Sequence, residues 1–204
     1  MNDLYRALGD ISSILKQVAS TTQFRGYGPN TLAATSAFAI LAALMQQRFV
    51  PDPATQISAY LGIWVTTAVL SSALTGGQMY TRSRRIHSAL SGEMIRMAVE
   101  QFLPSLAAGF LLTLVIPHYV PNVAWILPGV WQIIFSLGIL SSCRFLPRPM
   151  IAAGIWYLLT GLACIAIGSA RALSPWAMGI PFGVGQLLVA AILLFSTPEA
   201  SDEA

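Results

Sequence analysis

The side chains of this protein that could do chemistry in an apolar surrounding are amides and indoles rather than charges. Gln132 closes the run Gly129-Val130-Trp131-Gln132, and Gln186 closes Gly183-Val184-Gly185-Gln186. Gly62-Ile63-Trp64 opens a third run of the kind, with Thr66 and Thr67 close behind. Two facing glutamines can pair through their amides or line a small polar cavity; the plainer reading is that they join helices. Trp64 and Trp131 either wall an apolar ligand site or fill a bundle. Trp64, Thr66, Trp131, Gln132 and Gln186 are therefore the candidates for a ligand or cavity.

Catalysis finds little support. The sequence has no HExxH and no GxSxG, and no Ser/His/Asp set that one side of a membrane would bring together. His87 and His118 are separated by one long apolar segment, so they fall on opposite sides and cannot share a metal ion. Cys143 and Cys164 lack CxxC spacing, which leaves neither a disulfide framework nor a metal centre. Arg144 beside Cys143 is the one feature that would lower a thiol pKa. No catalytic residue, metal or cofactor is expected, and the reading leans away from an enzyme.

The elements that position these residues follow from composition. The 204 residues are 55% hydrophobic and 9% charged, whereas soluble domains carry about 25% charged residues. Spanning a bilayer takes about 20 apolar residues in a helix. Six stretches qualify, at about 30–48, 54–75, 99–118, 122–143, 149–169 and 175–196. The expected fold is all-α: a polytopic membrane protein of six transmembrane helices arranged as three tandem hairpins. A cytoplasmic helix and linker (1–29) precede the transmembrane domain (30–196), which includes a basic element at 76–98, and an acidic tail (197–204) follows. The first 29 residues contain no continuous apolar core of the kind a cleavable signal has.

Orientation follows from charge. With the N-terminus in the cytoplasm, Arg6, Lys16, Arg25, Arg82, Arg84, Arg85, Arg96, Arg144 and Arg148 lie inside, and only Arg48 and Arg171 lie outside. The positive-inside rule then sets both termini in the cytoplasm of a bacterial inner membrane. Tyr119, Trp125 and Trp176 form part of an outer aromatic belt. The net charge of +3 reflects this loop bias, and direct nucleic-acid binding is not expected.

The odd-numbered spans open alike, with Pro29-Asn30-Thr31-Leu32-Ala33-Ala34, Pro104-Ser105-Leu106-Ala107-Ala108-Gly109 and Pro149-Met150-Ile151-Ala152-Ala153-Gly154. With the glycine motifs of the even spans, this reads as an internal repeat of three hairpins. The small residues are expected to be contact points between helices. Pro128 and Pro181 each remove a backbone donor and can kink their helices.

Two cytoplasmic elements stand out. In residues 2–20, Leu4, Leu8, Ile11, Leu15 and Val18 share a stripe, which makes an amphipathic helix for a membrane surface or a partner groove. In residues 80–98, Arg82, Arg84 and Arg85 precede an amphipathic pattern, with Glu93 spaced to pair with Arg96. This element either contacts lipid headgroups or docks a cytoplasmic protein, with His87 able to report pH near neutrality. Arg82, Arg84, Arg85, His87 and Arg96 are the docking candidates.

Six short spans with Gly and Pro punctuation are similar to the bacterial acid-resistance membrane protein family. The stretches Leu127-Pro128-Gly129-Val130-Trp131-Gln132, Cys143-Arg144-Phe145-Leu146-Pro147-Arg148-Pro149 and Ser174-Pro175-Trp176-Ala177-Met178-Gly179-Ile180-Pro181-Phe182-Gly183 resemble an uncharacterised family of small bacterial membrane proteins. Its members tend to be encoded beside a winged-helix regulator. That resemblance implies no assigned activity, only a membrane partner for a cytoplasmic regulator. The expected function is a sensory, regulatory or accessory membrane protein that couples a membrane or small-molecule signal to a cytoplasmic partner. The alternative is a facilitator or channel for a small neutral solute. Besides the lipid bilayer, the partners open to it are a cytoplasmic regulatory protein and further copies of the chain.

Overall fold

A computed structural model of the protein describes residues 28–85, 89–143 and 148–195. The expected helix over 2–20, His87, Arg144 and the acidic tail lie outside the described residues. All regular structure among the described residues is helical: α1 (Pro29–Phe49), α2 (Ile57–Arg85), α3 (Ala89–Tyr119), a 3-10 turn (Pro121–Ile126), α4 (Leu127–Ser142), α5 (Met150–Ile167), the short α6 (Ser169–Ala172) and α7 (Pro175–Phe195).

Among the described residues, five segments are long and apolar enough to cross a membrane: Ile57–Thr81, Val99–Tyr119, Pro121–Ser142, Met150–Ile167 and Pro175–Phe195. The hydropathy reading had six. The difference is α1, whose 21 residues suffice in length but include Thr35, Ser36, Gln46, Gln47 and Arg48. Thr35, Ser36 and Gln46 are buried, so α1 turns these three polar side chains inward and leaves Gln47 and Arg48 exposed together with Leu41, Leu44, Met45 and Phe49.

Around the bundle the helices neighbour one another in the order α2, α1, α7, α5, α4, α3. The α1–α7 and α4–α5 contacts are the most extensive, and α2 and α3 barely touch. The first and last described helices are thus closer partners than the sequence-adjacent α1 and α2. Paired contacts fix the directions. Ser36 meets Gly183 while Gln46 meets Leu173, so α1 and α7 run antiparallel. Ser136 meets Gly154 and Gly129 meets Gly161, so α4 and α5 do the same. The core is unevenly shared. Of the apolar windows, 44% is buried in the segment ending in α4 and in α7, against 11% in α2 and 6% in α3.

The repeat motifs do not occupy equivalent places. Pro29 starts α1 and Pro149 caps α5, but Pro104 lies inside α3. Gly154 is packed against Leu140, as expected of a contact point, whereas Ala33, Ala107 and Ala108 are exposed. Gly62 faces open space, while its counterparts Gly129 and Gly183 are packed against α5 and α1. Pro128 stands in the first turn of α4, where the missing N–H has no helical acceptor to lose and no kink is required. The chain leaves α5 through Gly168, whose φ of 87° is a conformation that costs glycine little. Of the expected aromatic belt, Tyr119 and Trp176 are exposed, and Trp125 packs against the core.

Candidate functional site

Two fully buried amides, Gln46 and Gln132, join α1 to α2 and α4 to α7. Gln46 is fully buried. It accepts a hydrogen bond from Trp64 Nε1 at 2.7 Å through Oε1 and donates through Nε2 to the Leu173 carbonyl at 2.7 Å. One amide thereby joins α1 to α2 and to the turn that begins α7. Gln46 is not among the candidate residues that the sequence marks. The available signal was spacing: Ala39, Ala42, Ala43 and Gln46 repeat every three or four residues, on the face that is buried.

Gln132 is also fully buried, and its role follows from Pro181. A proline has no N–H, so the carbonyl four residues earlier in α7, that of Ala177, loses its helical donor. Gln132 Nε2 donates to that carbonyl at 3.0 Å and lies 3.7 Å from Met178 Sδ. Two more α7 carbonyls are bound from other helices. Trp156 Nε1 donates to Pro181 O at 3.0 Å, and Ser36 Oγ donates to Gly183 O at 2.8 Å. Three helices therefore hold the glycine- and proline-rich stretch of α7. Gln132→Leu should cost about 1–2 kcal/mol, mainly because the Ala177 carbonyl is left unpaired. Pro181→Ala supplies an N–H to that carbonyl, so the penalty should fall by at least about half in the Pro181→Ala background. Thermal unfolding of the four proteins in detergent measures this, and equal penalties in both backgrounds would remove the assigned role.

Trp64 and Trp131 border the same apolar cluster, which contains Tyr60, Leu173 and Met178. Trp131 Nε1 donates to Thr113 Oγ1 at 2.8 Å. Thr66 is exposed and takes no part; its neighbour Thr67 bonds back to Ile63 O. Gln132 and Gln186 are not brought together. Gln132 reaches α7 at Ala177 and Met178, whereas half-buried Gln186 lies about two turns further along and approaches Tyr157. Between these levels, Phe135, Tyr157 and Phe182 form a closed triad, with ring centroids 4.9, 5.2 and 5.6 Å apart. Phe102 extends it at 5.5 Å from Phe135.

Comparison with family models, with curated proteins and with solved structures returns no match. Function has to be read from the residues themselves.

Among the described residues, three buried side-chain oxygens make no hydrogen bond of ordinary geometry: Tyr60 Oη, Gln132 Oε1 and Tyr157 Oη. Buried polar atoms are nearly always paired, and each exception requires a physical reason. Tyr157 has Gln186 beside it. Tyr60 packs on Trp64 and stands within electrostatic reach of Cys164.

The described docking candidates, Arg82, Arg84, Arg85 and Arg96, lie on α2 and α3 away from this cluster. Gln78 Oε1 accepts from Gly28 N at 2.9 Å, so the start of α1 lies beside the last turns of α2. Arg82, Arg84 and Arg85 fall on those last turns. Arg96 is exposed and pairs with Glu100 at 3.1 Å; the side chain of the expected partner Glu93 lies outside the described residues. Cys143 is half-buried just beyond the end of α4, and burial pushes its thiol pKa up. Burial makes the thiol a poorer nucleophile, and Arg144, from which a lowering is expected, lies outside the described residues.

Proposed function

We propose that this chain is a non-enzymatic integral membrane protein with a sensory, regulatory or accessory role. It receives a membrane or small-molecule signal in the bundle and passes it to a cytoplasmic protein through the extended ends of α2 and α3. The observation that carries this reading is the length of those two helices. α2 has 29 residues and α3 has 31, or about 43 and 46 Å at about 1.5 Å per residue. The hydrocarbon layer is only about 30 Å thick. The excess is basic or amphipathic, with Arg82, Arg84 and Arg85 ending α2 and residues 89–98 preceding the apolar part of α3. α2 also reaches the polar interior through Tyr60 and Trp64, so a shift at the buried cluster has a rigid element along which to travel.

In this reading α1 is a sixth span. It lies antiparallel along α7 from Ser36 to Gln46, and both of those side chains have partners on other elements of the bundle. The three hairpins are then all inserted in the same sense, with both termini on the cytoplasmic side of the bacterial inner membrane, as the arginine distribution requires. A winged-helix regulator is the class of partner to which the family resemblance points, and self-association is the other.

The test is partner recovery. Arg82→Ala, Arg84→Ala and Arg85→Ala combined should reduce recovery of a stoichiometric cytoplasmic partner from native membranes at least about tenfold, the equivalent of about 1.4 kcal/mol. The amount of folded membrane protein should not change. Undiminished recovery would remove the docking role from this surface.

A further inference from the structure

We propose that Tyr60 Oη and Gln132 Oε1 hold a small neutral hydrogen-bonding ligand, of water's size or at most a few heavy atoms, at the buried junction of α2, α4 and α7. The two oxygens belong to different helices and are both wholly buried and unpartnered. They border one cluster: Tyr60 is a member, and Gln132 Nε2 lies 3.7 Å from Met178 Sδ, another member. Leaving two such atoms unpaired in an apolar interior is costly, and tyrosine to phenylalanine would be a simple way to avoid half of that cost.

The chemistry of the atoms limits the occupant. An amide oxygen only accepts, so the ligand must carry an O–H or N–H. Tyr60 Oη can either donate to the ligand or accept from it. The described members of the cluster are apolar or aromatic and include no Asp, Glu, Lys or Arg, so a charged ligand would have no counter-charge. Size is limited by packing. Leu127 and Gln132 are fully buried, and a Cβ built on Gly161 would stand 3.1 Å from Gln132 Cβ. A water molecule with two or more polar partners meets these conditions. The inference depends on the interior alone and stands whether or not the α2 end docks a protein.

Tyr60→Phe provides the test, because it removes one oxygen and leaves the ring. If the hydroxyl is unpaired, its removal is neutral or raises the unfolding midpoint. If it binds a ligand, removal lowers the midpoint by about 2–4 °C for a chain of this size. Gln132→Met removes the other ligand atom. When one ligand bridges both residues, Tyr60→Phe should cost little more once Gln132→Met is present. Water-edited solid-state NMR of the protein in lipid bilayers, read at the Tyr60 ring, identifies the source. Magnetisation transfer from water together with coupled destabilisation assigns water, and coupled destabilisation without transfer assigns a co-purifying neutral solute. A midpoint raised or unchanged by Tyr60→Phe, or effects of the two substitutions that simply add, overturns the proposal.

Discussion

Gly129→Leu should prevent α4 and α5 from packing and destabilise the protein by about 3 kcal/mol or more. A Cβ built on Gly129 would stand 2.7 Å from the Gly161 carbonyl oxygen and 2.5 Å from Ile165 Cγ1. Ile165 can turn aside, but a helix carbonyl cannot, and the reciprocal contact from Gly161 to the Gly129 carbonyl is 2.8 Å. The two backbones therefore touch through their glycines, and any larger residue must push the helices apart. Overpacking a core usually costs about 1–3 kcal/mol when side chains can adjust; here backbone meets backbone, and the cost belongs at the top of that range or above it. The same contact accounts for much of the affinity between these helices, because close approach replaces the hydrophobic effect inside a bilayer. Gly76→Leu and Gly77→Leu are the controls, since both positions face open space and should change stability by no more than about 0.5 kcal/mol. Equal tolerance at Gly129 and Gly76 in a thermal unfolding series would refute the α4–α5 contact.

The second large effect is expected at Gln46. Gln46→Leu leaves the Trp64 indole N–H and the Leu173 carbonyl unpaired at once. Each orphaned group costs about 1–3 kcal/mol, which puts the substitution at about 2–6 kcal/mol. Trp64→Phe removes the donor together with part of the ring, so it should cost less. If the Trp64–Gln46 bond at 2.7 Å carries the effect, the double variant should be less damaged than the sum of the two, by about 1 kcal/mol. Strict additivity would mean that the two side chains do not act as a pair. The substitution also bears on function, because Gln46 holds α2 to the packed part of the bundle. A loosened α2 should alter partner recovery, although Arg82, Arg84 and Arg85 are untouched.

Particular residues show how far sequence reasoning reached. Gln132 was singled out as a polar residue within the membrane, and it is one of the most deeply buried side chains. Pairing with Gln186 is one reading of the two similar motifs, and joining helices is the plainer one; Gln132 does join helices. The partner is a backbone carbonyl freed by Pro181, 49 positions away. A proline in an apolar run says that some carbonyl needs a donor, but not which helix will supply it. Trp64 was likewise marked, and its partner Gln46 was not, because a glutamine beside another glutamine and an arginine looks like the end of a span. Thr66 was marked and faces outward. The phase of α2 is hard to read where Gly62, Ala68, Ala73, Gly76 and Gly77 alternate with aliphatic residues on every side.

The amino-acid sequence by itself determined that the chain is helical, that several of its helices are built for a bilayer, and which of its ends and loops are basic. These are one-dimensional properties: hydrocarbon thickness sets the length of an apolar run, and charge stays out of lipid. Only the tertiary structure decided that α1 closes against α7, that Phe135, Tyr157 and Phe182 meet, and that Gln46 finds Leu173 from 127 residues away. In water an apolar stripe marks the face of a helix that turns inward. In a membrane the lipid side is as apolar as the core, so hydrophobicity no longer distinguishes the two faces. Neighbours are then chosen by where glycines let backbones touch and where a buried donor meets an unpaired carbonyl, and both depend on side chains far apart in the chain.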